Sequence, residues 1–241
     1  YDSIQAAIQA AQDGDTISVG DGTYPEAIVI DKALLVASAN GPSACLIRPL
    51  ERCQHVVTLG TNHISFDGFS VASLVPCEAK VLVARGTANC EVSSVHIPDS
   101  DSHVGLRLDH LSRGHRVRKC WLRGCRALEA WQTEQCLITD NMFITVLGDC
   151  RYGGISMAGA ACGANVVSNN RLVGYELGLE VGGRDHWVLG NELWDCAVGL
   201  HLESASACTV QGTSFDGCGT DLSLAWAGAN RFFLNNLRTI T

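Results

Sequence analysis

Between Val166 and Leu224 the sequence repeats itself every 21 or 22 residues, and that period limits what the chain can fold into. Val167-Ser168-Asn169-Asn170-Arg171-Leu172 is followed by Val188-Leu189-Gly190-Asn191-Glu192-Leu193, then by Val210-Gln211-Gly212-Thr213-Ser214-Phe215. Between these runs lie Gly178-Leu179-Glu180-Val181, Gly199-Leu200-His201-Leu202 and Asp221-Leu222-Ser223-Leu224. Each unit therefore carries two short strands of alternating apolar residues, separated by turn residues. One such unit cannot bury its apolar side without a neighbour stacked on it, so the period predicts a solenoid.

Earlier coils are less regular. Aligned on the fourth position of the first strand (Asp67, Val95, Cys120, Asn141, Asn170, Asn191, Thr213), the spacings are 28, 25, 21, 29, 21 and 22 residues. The longer intervals mark looped-out turns, among them 158–165. Asn141, Asn170 and Asn191 are expected to stack as an asparagine ladder, each amide bonding the next coil. About ten coils at ~4.8 Å give a rod of roughly 45 Å. The chain reads as one domain over 1–241, with a capping helix in 1–14 and coils over 16–241.

In the helix, Asp2 is the expected cap with Gln5 completing a capping box. Ile4, Ala7, Ile8 and Ala11 form one apolar face, and Gly14 stops it. Such a helix covers the open core and the first strand edge. At the other end Phe232 to Leu237 repeats the first strand once more. No polar cap is visible after it, so another segment is expected to cover that end or the chain to continue.

A formal charge of −8 disfavours a nucleic-acid groove. The one local excess of basic residues, Arg113 to Arg126, reads as a solvated face or a patch for a larger assembly. No run of 18 apolar residues suggests a membrane span, and no signal peptide is visible. The twelve cysteines lack zinc-site spacing. Several fall in register instead: Cys125, Cys196 and Cys218 at one turn, Cys136 and Cys208 at another. The leading expectation is a ladder of reduced core thiols in an intracellular protein, with secreted disulfides the alternative. No metal site and no cofactor are expected.

The opening residues add a specific resemblance. Ser3-Ile4-Gln5-Ala6-Ala7, Asp13-Gly14-Asp15-Thr16-Ile17, Gly22-Thr23-Tyr24-Pro25-Glu26 and Ile30-Asp31-Lys32 resemble the start of the pectin-lyase-like right-handed parallel β-helices. Within that superfamily, Glu26 to Lys32 is most similar to the carbohydrate-binding and sugar-hydrolysis (CASH) repeats, which also occur in F-box adaptors and SH2-domain-binding proteins. The resemblance implies an all-β right-handed parallel β-helix. The motif sets of the superfamily's pectin methylesterases, polygalacturonases, pectate lyases and mannuronan epimerases are not matched. Arg184-Asp185-His186-Trp187 is only a distant echo of the pectate lyase segment.

In a stacked helix of strands, outward residues of equivalent strands form columns. The second-strand column carries Arg107 and Asp109, Glu129 and Trp131, Glu180, and His201 and Glu203; the turn after it carries Arg184, Asp185 and His186. Glu180, His201 and Glu203 are the candidate acid–base residues. Arg107, Asp109, Glu129, Trp131, Arg184, Asp185 and His186 are the candidate binding residues, with Arg107 or Arg184 suited to a uronate. Outward positions are polar in any soluble solenoid, and exposed Trp serves a sugar or a protein equally well. The leading functional expectation is accordingly a non-catalytic scaffold module that binds a protein partner or joins a larger complex. The alternative is a polysaccharide-acting lyase or hydrolase.

Overall fold

The computed structural model describes residues 1–98, 104–145, 153–159 and 161–241. It is a right-handed parallel β-solenoid of about nine turns with one seven-residue helix at its head. Each coil passes in turn through three sheets. The first has ten strands, from Thr16–Val19 to Arg231–Phe233; the second has nine, from Gly22–Tyr24 to Ser214–Asp216. The third also has nine, from Ile28–Ile30 to Thr220–Ala225. Pairing is parallel, each strand beside the equivalent strand of the next coil. The tenth coil of the sequence reading is thus present only as its first-sheet strand. Two of the expected looped-out turns involve residues 99–103 and 146–152, which lie outside the described residues, as does Ala160 of the 158–165 turn.

Alternation explains the core. Val117, Ile138, Val167, Val188 and Val210 form one inward column of the first sheet. Leu122, Phe143, Leu172, Leu193 and Phe215 do so in the second, and Leu106, Leu128, Ile155, Leu179, Leu200 and Leu222 in the third. All are buried, and each such side chain contributes about 1.5–3 kcal/mol. In the third sheet a further inward position must stay small. A Cβ at Gly199 would stand 2.5 Å from the Phe215 ring and 2.9 Å from the Asp221 carbonyl oxygen.

The corners share one device. A residue in the left-handed region turns the chain, and the residue after it points inward. From the first sheet to the second these pairs are Lys119–Cys120, Asp140–Asn141, Asn169–Asn170, Gly190–Asn191 and Gly212–Thr213. The expected asparagine ladder is there. Asn141 Nδ2 donates to Asn170 Oδ1 at 2.9 Å, and Asn170 Nδ2 donates to Asn191 Oδ1 at 3.1 Å. The same oxygens accept the backbone N–H groups of Asn141 and Asn170. A second, mixed ladder lines the corner from the third sheet back to the first. There His115 Nδ1 accepts from Cys90 N, Asn165 Oδ1 from Cys136 N and Asn230 Oδ1 from Cys208 N. These bonds satisfy backbone groups that would otherwise be buried unpaired.

Both ends differ from expectation. The helix spans Ile4–Ala10 and its cap is Ser3, whose Oγ accepts from Ala6 N at 3.1 Å. Asp2 and Gln5 do not form the capping box, because the Glu26 carboxylate takes the N–H groups of Ile4 and Gln5 at 2.8 and 3.0 Å. A charged acceptor at a helix N-terminus is the stronger partner, and the Gln5 side chain pairs with Val29 instead. At the far end the chain does supply a polar cover. Asn235 and Asn236 accept from Thr213 N and Phe215 N at 2.8 and 2.7 Å. Asp221 accepts from the N–H groups of Arg238 and Thr239 at 2.5 and 3.1 Å.

Candidate functional site

The outer face of the third sheet collects most of the chemistry. Its central outward column runs Arg107, Glu129, Ser156, Glu180, His201, Ser223. Two residues further along the strands lie Trp131, Ala158 and Glu203. The register shifts between Val181 and Gly183, a bulge in the Leu177–Arg184 strand. Ala158, Gly182 and Gly183 make a floor without bulk; Trp131, Arg184 and Glu203 stand around it. The result is a cleft of about 560 Å³. A smaller basin of about 210 Å³, lined by Arg126, Glu129, Ser156 and Glu180, adjoins it beside Trp131.

The ionisable groups in this groove are not equivalent. Glu129 is clamped, its carboxylate 2.8 Å from Arg126 Nη1 and 3.1 Å from Arg107 Nε. Glu180 accepts a 2.7 Å hydrogen bond from Ser156 Oγ, which fixes its orientation. Glu203 is exposed and makes no ion pair among the described residues. His201 sits beside Glu180 on the next strand. Arg184 is three-quarters exposed and reaches Asp185 only at 3.9 Å. Further along, Asp109 holds the His110 ring at 2.5 Å, and that ring lies 5.9 Å from Trp131. Burial pushes the Asp109 carboxyl up, but the hydrogen bonds from His110 outweigh it and leave the group below its ordinary value.

His186 is not a groove residue. It follows the left-handed Asp185 and therefore turns inward, fully buried. Nδ1 accepts from Asn165 N at 3.3 Å and Nε2 donates to the Gly182 carbonyl at 3.0 Å, so the neutral ring fixes the bulge beneath the cleft. Burial lowers its pKa.

The tryptophans divide. Trp131, Trp187 and Trp226 are exposed, while Trp121 packs against His96 and Trp194 lies under the Arg171 guanidinium at 4.8 Å. The run Arg113 to Arg126 does not form one patch. Arg116 and Arg118 lie on the first sheet around Glu91, and Arg126 lies on the third with Glu129.

Solved structures with this fold have far diverged sequences. A full-length tailspike protein 2 from an Escherichia coli O157:H7 bacteriophage superposes with a TM-score of 0.69 at 13% identity, covering 98% of this chain and 37% of that one. The chain thus spans little more than a third of the tailspike's length. An alginate lyase from Paenibacillus gives 0.62 at 10% identity, with 98% and 94% covered. The mannuronan C-5 epimerase A-module from Azotobacter vinelandii gives 0.52 at 13% identity, with 99% and 94% covered. No curated protein sequence matches the chain. The expectation of a non-catalytic scaffold is corrected here, since the structures that share this fold include an alginate lyase and an epimerase.

Residues 61–239 match the family described as periplasmic copper-binding protein (NosD). That description overturns the intracellular expectation. Its physical basis was the thiols: among the described cysteines ten are free, but Cys125 is disulfide-bonded. Copper narrows the search further. Among the described residues no three His, Cys, Asp or Glu side chains converge, so a centre built on three or four such ligands has no ligand set there. Two soft donors stack on adjacent coils at one corner, the free thiols of Cys196 and Cys218, a pair that suits copper(I). With nearly three quarters of its length in that match, the chain belongs to the NosD family of periplasmic copper-binding proteins.

Proposed function

We propose that the chain acts on a polysaccharide outside the cytoplasm, and that the sugar chain lies in the groove on the outer face of the third sheet. The observation that carries this reading is the groove itself: a floor of Ala158, Gly182 and Gly183, a half-exposed Trp131 as wall, and two carboxylates, Glu180 and Glu203, on adjacent strands. A flat aromatic face beside a shallow trough suits the apolar face of a pyranose ring. The likeness of Glu26 to Lys32 to CASH repeats supports the same reading.

The chemistry assigned to it is hydrolysis. Strand spacing and rise set the Cα atoms of Glu180 and Glu203 about 8 Å apart. A wide pair of carboxyl groups leaves room for a water molecule between one of them and the sugar. Glu180, oriented by Ser156, activates that water, and Glu203 protonates the departing glycosidic oxygen. Water adds its hydroxyl to the anomeric carbon as its proton passes to Glu180; solvent then takes that proton from Glu180 and returns one to Glu203, which restores both carboxyl groups. Arg184, only weakly paired, faces a uronate carboxylate; Arg107 does not, because Glu129 already holds it.

Affinity electrophoresis of the folded chain through gels cast with acidic and neutral polysaccharides tests the binding half. One polysaccharide is expected to retard the chain, with Trp131→Ala weakening retention about tenfold, in line with the loss of one aromatic contact. Retardation unchanged in Trp131→Ala contradicts this placement of the sugar.

A further inference from the structure

The corner from the second sheet to the third places cysteines on two successive coils. Its inward residues follow the left-handed residues Gly174, Asp195 and Gly217, and are Tyr175, Cys196 and Cys218. The other corners carry Asn and His at many such positions, with side chains that accept a neighbouring coil's N–H, and their cysteines stand singly: Cys120 at one corner, Cys90, Cys136 and Cys208 at the other. Here two thiols follow one another on adjacent coils, after a tyrosine. Strand register on both sides stacks them in one column: Trp194 pairs with Asp216 before the corner, and Val198 with Thr220 after it.

The hydrogen bonds of the two sulfurs are long ones to carbonyls, Cys196 Sγ to the Trp194 oxygen at 3.4 Å and Cys218 Sγ to the Leu193 and Asp216 oxygens at 3.5 and 3.9 Å. Cys196 is 2% exposed, while Cys218 is only partly buried, so the pair is reachable from one side. Tyr175, 1% exposed, stands in the same column one coil before Cys196, and its hydroxyl has no hydrogen-bond partner among the described residues. Gly178 keeps space beside the inner sulfur, since a Cβ there would stand 3.0 Å from Cys196 Sγ.

We propose that Cys196 and Cys218 are the two ligands of a copper(I) site at this corner. Thiolates select soft cations, copper(I) and zinc foremost. A structural zinc site needs four ligands, and among the described residues no third His, Cys, Asp or Glu joins the pair. Copper(I), a closed-shell soft ion, is satisfied by two sulfurs. Binding replaces the two thiol protons with the metal and leaves its oxidation state unchanged. The family description supplies the metal but no residues; the corner supplies the residues. The site lies at the opposite end of the third-sheet strands from Glu203 and stands independently of the polysaccharide reading.

The test is an anaerobic titration of the reduced full chain with copper(I) against the chelator bicinchoninate, read by the copper-to-protein ratio after desalting and by thiolate-to-copper absorption in the near ultraviolet. One equivalent is expected to resist the chelator, and to bind about 100-fold or more weakly in Cys218→Ser and in Cys196→Ser. Cys53→Ser, remote from the corner and also partly buried, should keep it. A chelator-resistant equivalent that survives Cys218→Ser, or is lost as readily in Cys53→Ser, overturns the proposal. Because Cys196 is buried and its replacement can fail to fold, alkylation of the unmutated chain gives a second reading. Copper(I) must shield Cys218 from iodoacetamide, as mapped by peptide mass; shielding confined to other cysteines overturns the assignment, as does isolation of the pair as a non-reducible disulfide.

Discussion

His115 shows how a single buried residue ties this fold to pH. Its ring is 1% exposed, Nδ1 accepts the Cys90 N–H at 3.0 Å, and burial lowers its pKa from the ordinary 6.5 to about 4. Protonation would place a charge in the core and remove the acceptor. The unfolded chain therefore binds a proton that the folded chain refuses between about 6.5 and 4. Stability is full above 6.5 and falls as pH drops through that window. His186, shifted the same way by burial, steepens the fall. Thermal melts across this range are expected to show Tm decreasing with acidification. His115→Asn, which places at this corner the residue type that Asn165 already supplies there, should flatten the slope; an unchanged slope would assign it to other groups. At this scale the asparagine ladder was legible because one residue type recurs at one spacing. The mixed ladder of Cys, His and Asn was not, since no single type repeats. The same blindness placed His186 among the binding residues: strand alternation gives no warning that the residue after a left-handed turn points inward.

At the scale of elements, the N-terminal helix survives through partners that the sequence does not announce. Seven residues are too few to hold a helix alone in water. Ile4 and Ile8 seat it on the core, Glu26 takes its first N–H groups, and the Lys32 ammonium bonds the carbonyl oxygens of Ile8, Gln9 and Ala11 at 2.9, 2.7 and 2.7 Å. Lys32→Met removes all three bonds while keeping the aliphatic stem. Denaturation in urea is expected to show a loss of about 1–3 kcal/mol, the cost of stripping a charged donor from a helix end; a loss within error would mean that water replaces the ammonium. The helix and its apolar face were readable from spacing, and the outward columns of the third sheet from alternation. The ion pairs that clamp Glu129 were not, because Arg107 reaches it from the neighbouring coil and Arg126 from its own strand, and both depend on side-chain reach.

For the whole molecule, stacking turns single residues of successive coils into continuous surfaces. The groove needs Trp131 from one coil, Ala158 from the next, Glu180 and Gly182 from the third and Glu203 from the fourth. No one repeat holds a recognisable catalytic motif, which is why motif comparison favoured a scaffold and the assembled surface does not. The chain spans only 37% of the tailspike that shares its fold, so this groove is the part of the account open to direct trial. The deciding measurement is product formation from a panel of acidic and neutral polysaccharides, scoring new reducing ends and unsaturated ends separately. The account predicts reducing ends without unsaturation from at least one polysaccharide, with rates falling about 10²–10⁴-fold in Glu180→Gln and Glu203→Gln while far-ultraviolet circular dichroism stays unchanged. Unsaturated products would contradict the hydrolytic assignment, and cleavage that persists undiminished in both variants would remove the groove from the chemistry altogether.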